Sequence, residues 1–141
     1  MDRRYSVLVV EKADIIREKI AGIVSRENSV SMVVQVPGYE NLAELLGIFH
    51  PHFLIAEAFQ FEKFKENCDS KTRHRLAGLR IILYTEDNMA EYAQDREWPV
   101  NAALTDLSGL CNKFRRHLMV LEGSPETQQY GQSGRSSGPE R

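Results

Sequence analysis

The chain has 141 residues, 42% hydrophobic and 27% charged, and this composition predicts one soluble globular domain. The formal net charge of −2 argues against a nucleic-acid surface, because binding to phosphates normally needs a basic patch. The two cysteines, Cys68 and Cys111, form neither a CxxC pair nor a disulfide framework, so a reducing cytoplasm is the expected location. No apolar stretch is long enough to span a bilayer, and the N-terminus does not resemble a signal peptide.

Five apolar, strand-like runs alternate with helix-like segments along the chain. The strands are predicted at residues 5–10, 31–36, 53–57, 79–85 and 100–105. Helical spacing of apolar residues predicts a helix capped by Asp14, then helices near 42–49, 61–68 and 89–94, and a last helix capped by Ser108. Strands that alternate with helices indicate βαβ units and therefore an α/β fold with a parallel sheet and helices on both faces.

The composition changes near Gly123. The residues that follow are rich in Gly, Ser, Gln and Pro and carry no apolar stripe, which is typical of a disordered tail or linker. We therefore expect a folded domain over residues 1–122 and a tail over residues 123–141.

The third predicted strand ends in Glu57. An apolar run of this kind is typical of a parallel strand covered on both faces. Its last residue emerges at the carboxyl edge of the sheet, where open α/β folds place their sites. Glu57 is therefore a candidate site residue.

Four segments in this order, at residues 7–12, 50–57, 81–85 and 102–106, resemble the receiver domain of two-component response regulators. The resemblance covers roughly residues 5–122 and implies a doubly wound sheet with strand order 2-1-3-4-5. It also implies acidic magnesium ligands at positions 11, 12 and 57, a phosphorylated Asp at 57, a Thr at 85 and a Lys near 105.

The departures from this pattern define the candidate site. The chain has Glu11, Lys12 and Glu57 at the acidic positions, keeps Thr85, and has Thr105 or Asp106 at the Lys position. Because an ammonium repels a dication and attracts carboxylates, we predict that Lys12 replaces the metal and pairs with Glu11, Glu57 or both. The resulting site is a degenerate phosphorylation pocket with no metal, no cofactor and no catalytic residue.

A second group of residues is a candidate interaction face. The last helix carries Lys113, Arg115 and Arg116, and the resemblance places Tyr92 and Trp98 in the same region. The basic residues could contact an acidic partner, but a solvated helix face with cations near the helix C-terminus is the simpler interpretation. The four histidines lack zinc-like spacing and are interpreted as loop residues.

The preferred functional hypothesis is a non-enzymatic, receiver-like signalling module. It would act by protein–protein contact, with a partner or as a homodimer through the last helix, in signal transduction or transcription control. An output domain could follow the tail. Two alternatives remain open: a conventional receiver that is phosphorylated by an unusual route, and a small flavodoxin-like enzyme or cofactor binder.

Overall fold

The computed structural model describes residues 4–86 and 97–123. Five strands form one sheet in the order β2-β1-β3-β4-β5, and every neighbouring pair is parallel. This confirms the predicted fold class and strand order. The elements are β1 (Tyr5–Val10), α1 (Asp14–Ser25), β2 (Val30–Val36), α2 (Leu42–Ile48), β3 (Phe53–Glu57), α3 (Ala58–Asn67), α4 (Ser70–Ala77), β4 (Arg80–Thr85), β5 (Ala102–Asp106), a 3₁₀ turn (Leu107–Gly109) and α5 (Leu110–Glu122).

The three central strands are buried on both faces, as the apolar runs indicated. Alternate residues such as Leu8, Leu54 and Leu83 join one core cluster with buried side chains of α2, α3 and α4. The residues between them, such as Val9 and Ile55, lie on the opposite face and are fully buried as well. The sheet is therefore a rigid platform whose strand ends hold the side chains that follow them.

Two helix starts differ from the prediction. The residue before α1 is Ala13, without a side-chain cap, and Asp14 is the first helical residue. Before α5, Asp106 rather than Ser108 caps the chain, because its Oδ1 accepts the Gly109 N–H at 2.8 Å. In both places the predicted cap, Asp14 or Ser108, lies one or more residues inside the actual start, since capping depends on local backbone geometry.

A helix absent from the prediction, α4, lies between α3 and β4. Asp69 begins it by accepting the Thr72 N–H at 2.8 Å, and this hydrogen bond lowers the pKa of the Asp69 carboxyl. The helix is strongly charged, and its buried residues are Thr72 and Leu76. With so few apolar positions, the 3.6-residue pattern is weak in the sequence.

The chain comprises two compact units, Met1–Cys111 and Asn112–Arg141. In the second unit the described residues 112–123 are mostly helical, with Phe114 and Leu118 buried and Arg115 and Arg116 exposed. The basic residues lie in the middle of α5, which ends at Glu122, so the expected stabilisation by the C-terminal end of the helix dipole is wrong.

Some expectations lie outside the described residues, namely the helix near 89–94 and the tail from 124 onward. The boundary at residue 122 stays a prediction. Among the described residues, no helix is both long enough and apolar enough to cross a membrane.

Helix α2 offers a matched pair of sites for testing the core. Leu46 is 2% exposed within the core cluster, whereas Ile48, two residues later, is 82% exposed. We expect Leu46→Ala to lower the free energy of unfolding by about 2–5 kcal/mol, because it leaves a cavity. Ile48→Ala should change it by less than about 0.5 kcal/mol. Urea unfolding followed by circular dichroism measures both, and equal losses would contradict the packing described.

Candidate functional site

The carboxyl ends of the strands meet along one edge of the sheet. The strand register places Val10, Ala56, Leu83 and Leu104 side by side. Glu57, Tyr84 and Thr105 form the next row across β3, β4 and β5, and Glu11 directly follows β1. Residues far apart in sequence thus project from one edge, which is where open α/β folds bind ligands.

The Glu11 carboxylate is held by donors from this chain. Its Oε2 accepts the backbone N–H of Ala13 at 2.9 Å, and its Oε1 accepts a short hydrogen bond from the Tyr84 hydroxyl. Because β3 lies between β1 and β4 in the sheet, the bond from Tyr84 passes across the end of β3. Both carboxylate oxygens of Glu11 are therefore engaged.

Two tyrosines lie in the electrostatic field of the two glutamates. Burial is the main reason why the pKa of Tyr84 is raised far above the usual value, and its hydrogen bond to Glu11 and the charges of Glu11 and Glu57 act in the same direction. Burial, followed by the charges of Glu57 and Glu11, also raises the pKa of Tyr39. Both phenols are therefore firmly protonated at neutral pH.

Tyr39 lies in the loop after β2, directly after Pro37 and Gly38. Its ring stacks on Phe64 with a centroid distance of 4.6 Å. Its hydroxyl oxygen is buried and has no hydrogen-bond partner in the part of the chain that the structure describes. Such groups are rare in folded proteins and mark places where a further partner is favourable.

Glu57 and Lys12 do not form the expected pair. Glu57 is the N-cap of α3, and its Oε1 accepts the Gln60 N–H at 2.8 Å. Lys12 is exposed, and the nearby cation that forms an ion pair is Arg17, which contacts Asp14 at 2.7 Å. The prediction that Lys12 pairs with Glu11 or Glu57 is wrong: the two carboxylates accept hydrogen bonds from the Tyr84 hydroxyl and from backbone N–H groups instead.

In the described part of the chain, the three remaining candidate residues make no hydrogen bond to Glu11, Lys12 or Glu57. Thr85 is fully buried, and its hydroxyl has no hydrogen-bond partner among the described residues. Thr105 donates to the carbonyl of Asp106 at 3.0 Å, while Asp106 caps the 3₁₀ turn through Gly109 and Ser108. The register pairs Asp106 with Thr85, so an acid stands opposite the threonine where the resemblance implies a lysine nearby.

A cavity of about 690 Å³ opens at this edge of the sheet. Of the six candidate pocket residues, it brings together Glu11, Lys12 and Glu57, whereas Thr85, Thr105 and Asp106 do not line it. Sequence reasoning missed the other polar and aromatic lining residues, which are Tyr39, Phe59, Gln60, Tyr84 and Glu86. A signal existed for Tyr84, because it precedes Thr85 in a strand predicted to end at the site.

The arrangement does not fit a magnesium ion. Magnesium needs carboxylate or other oxygen ligands in near-octahedral geometry. Both oxygens of Glu11 accept hydrogen bonds, and one oxygen of Glu57 caps α3. A metal ion would have to compete with these donors, and the exposed ammonium of Lys12 at the same cavity would repel it. Within the described residues, no group of three or more His, Cys, Asp or Glu side chains could hold a metal ion.

The candidate interaction face is described in part. Trp98 is half-buried, packs against the core cluster and makes an edge contact with Phe59 at a centroid distance of 6.3 Å. Trp98 is therefore not an exposed aromatic residue, and Tyr92 lies outside the described residues. Lys113 is half-buried, and Arg115 and Arg116 are exposed in the second unit.

No family model matches the sequence, and a comparison with curated proteins finds no match either. Solved structures do match. RcsB, a response regulator of Salmonella typhimurium, superposes with a TM-score of 0.61 at 16% identity, over 85% of this chain and 60% of RcsB. The isolated REC domain of RcsB, with the phosphomimetic BeF3-, gives a TM-score of 0.59 at 18% identity, over 86% of this chain and 90% of the domain. This chain has the receiver fold.

Two further matches show how widely the fold is used. A response regulator from Desulfuromonas acetoxidans superposes with a TM-score of 0.54 at 15% identity, over 83% of this chain and 98% of that protein. The lysine decarboxylase LdcF of Francisella novicida gives 0.56 at 11% identity, over 94% of this chain but 20% of the enzyme. A receiver fold thus occurs in response regulators and within an enzyme, so function has to be argued from the site.

The two buried tyrosines provide a test of the Tyr84–Glu11 hydrogen bond. We expect Tyr84→Phe to lower the free energy of unfolding by about 1–3 kcal/mol, because it leaves a partly buried carboxylate oxygen without its donor. Tyr39→Phe is the matched control and should be neutral or slightly stabilising, since the hydroxyl that it removes has no partner. Urea unfolding measures both changes, and a larger loss for Tyr39→Phe would contradict the bonding described.

The raised pKa of Tyr84 predicts a loss of stability at alkaline pH. In the unfolded chain tyrosine titrates near pH ~10, whereas in the folded protein it stays protonated to higher pH. The contribution of this group to stability is therefore constant below pH ~10 and falls above it, by about 1.4 kcal/mol per pH unit. The dependence should be shallower in Tyr84→Phe. Urea unfolding between pH 8 and 11 measures it, and identical slopes in the two proteins would contradict the assignment.

Proposed function

We propose that this chain is a degenerate receiver module that signals by protein–protein contact and is not switched by phosphorylation. The single observation that carries the proposal is the Tyr84–Glu11 hydrogen bond, which takes up the carboxylate of an acid to which the resemblance assigns a metal. The receiver fold supports a role in signal transduction or transcription control, in the cytoplasm and without a cofactor or a catalytic step.

The surroundings of Glu57 support the same conclusion. Glu57 caps α3, and this role favours one fixed conformation of its carboxylate. Thr85, which would contact a phosphoryl group in a conventional receiver, is fully buried and does not line the cavity. Asp106 stands opposite Thr85 and adds a negative charge where a phosphate would need a positive one.

The partner surface is a separate part of the proposal. The chain spans 60% of the RcsB chain that it matches. An output domain, and any activity that it would bring, is part of this proposal. Arg116 is exposed on α5 and is a candidate contact for an acidic partner or for a second copy of the chain. A conventional receiver is the alternative, and the presence of a threonine at position 85 in the sequence is what it shares with this chain.

Phosphorylation is tested directly with acetyl phosphate and magnesium, followed by intact mass measurement. We expect no gain of a phosphoryl group on this protein, while a conventional receiver in the same tube becomes phosphorylated. Magnesium should also leave the urea midpoint unchanged, because a ligand stabilises a fold only by binding to it. A phosphoryl group on this protein would support the conventional alternative.

A variant strengthens this test by giving a positive result. Lys12→Asp combined with Tyr84→Phe and Glu57→Asp adds one acid, places an aspartate at position 57 and removes the Tyr84 hydrogen bond from Glu11 Oε1. We expect magnesium at tenfold excess over its Kd to stabilise this variant by about 1.4 kcal/mol. Lys12→Asp alone, which keeps the Tyr84–Glu11 bond, should remain insensitive to magnesium. If the single variant responds as strongly as the triple variant, Tyr84 is not what excludes the metal.

A further inference from the structure

The cavity at the carboxyl edge has the size and walls of a small-molecule site. Its volume of about 690 Å³ falls within the range of about 300–1,000 Å³ that is usual for ligand pockets. The walls are mainly apolar and aromatic, with Ile16, Phe59 and Leu107 beside the rings of Tyr39 and Tyr84. All lining residues belong to the unit Met1–Cys111.

The charges around the cavity favour one sign of ligand. Three carboxylates line it, those of Glu11, Glu57 and Glu86, against the single ammonium of Lys12. Glu86 and Lys12 are exposed, whereas Glu11 and Glu57 are half-buried and act on the tyrosines within the site. A cation entering the cavity would therefore be attracted, and a phosphate or a carboxylate would be repelled.

Two oxygen atoms in the site keep lone pairs that can accept a hydrogen bond. Glu57 uses Oε1 to cap α3, and no bond to its second oxygen is recorded within residues 4–86 and 97–123. The buried Tyr39 hydroxyl has no partner there either. A primary ammonium brings three donors and no acceptor, which matches a carboxylate oxygen and a phenol oxygen.

We propose that this cavity binds a primary ammonium ion carried on an apolar or aromatic body. The ammonium lies between the second carboxylate oxygen of Glu57 and the Tyr39 hydroxyl, and the apolar body packs against Phe59, Ile16 and Leu107. The proposal rests on the proposed function in one respect, since it makes ligand binding at this site the input of a module that phosphorylation does not switch.

The probe for this test is 2-phenylethylamine, which is protonated at pH 7, with 2-phenylethanol as the neutral analogue and 3-phenylpropionate as the anionic one. Binding is followed on the ¹⁵N-labelled full chain by NMR, through the backbone amides of Glu11, Gly38 and Gln60 at the cavity. We expect saturable shifts with the amine, binding at least about tenfold weaker for the alcohol, and no shifts with the carboxylate. Equal binding of amine and alcohol, or no shift at these amides with ~10 mM amine, would overturn the proposal.

Charge variants locate the site. Glu57→Gln keeps an acceptor for the α3 cap and removes the charge, so the amine should bind about three- to tenfold more weakly. Glu44→Gln removes an exposed charge from α2, outside the cavity lining, and should bind as the unaltered protein does. Unchanged affinity in Glu57→Gln, or an equal loss in Glu44→Gln, would refute the assignment.

Lys12→Gln provides a test that does not depend on a loss of function. Lys12 is exposed, so its replacement leaves the fold intact, and removing the cation at the rim should strengthen amine binding by about three- to tenfold. Weaker binding in this variant would contradict the charge argument. None of these titrations involves acetyl phosphate, so amine binding and the absence of phosphorylation succeed or fail independently.

Discussion

The hydrogen bond between the Tyr84 hydroxyl and the Glu11 carboxylate ties together two strands that are not neighbours in the sheet. Each group solves a problem for the other. Tyr84 is 3% exposed, and a buried hydroxyl without a partner costs free energy, while a carboxylate drawn partly out of water needs donors. Together with the Ala13 N–H, this bond fixes the position of the Glu11 carboxylate at the end of β1.

The other two acids at this edge bind backbone N–H groups of their own chain. Glu57 and Asp106 each accept an N–H at the start of the helical segment that follows, Glu57 from Gln60 and Asp106 from Gly109. Gly109 is required at this place, because a Cβ atom there would lie 2.8 Å from the Thr105 hydroxyl oxygen and 3.0 Å from Asp106 Oδ1. Side chains that a receiver-like sequence would devote to a ligand thus stabilise the turns that leave the sheet.

The sequence predicts the sheet more reliably than the site. The third strand spans residues 53–57, as predicted. A strand buried on both faces has an uninterrupted run of apolar residues, which is easy to recognise in the sequence. Helix α4 escaped notice since its cap, Asp69, stands in a charged stretch with few apolar positions. The Tyr84–Glu11 bond joins residues 73 positions apart, and no local pattern reports such a pair. The same holds for Tyr39, whose loop position gives no hint that its hydroxyl is buried beside two carboxylates.

The sign of the charge decides what the cavity can accept. A phosphoryl group carries roughly two negative charges and would meet Glu11, Glu57 and Glu86, with Lys12 at the rim as the cation that lines the cavity. At an effective dielectric of about 20, like charges ~6 Å apart repel by about 3 kcal/mol, a cost that several carboxylates multiply. A receiver fold is compatible with many chemistries, as the likeness to LdcF illustrates, so its strand order does not choose among them. The balance of charges at the strand ends does choose, and it favours cations over phosphate.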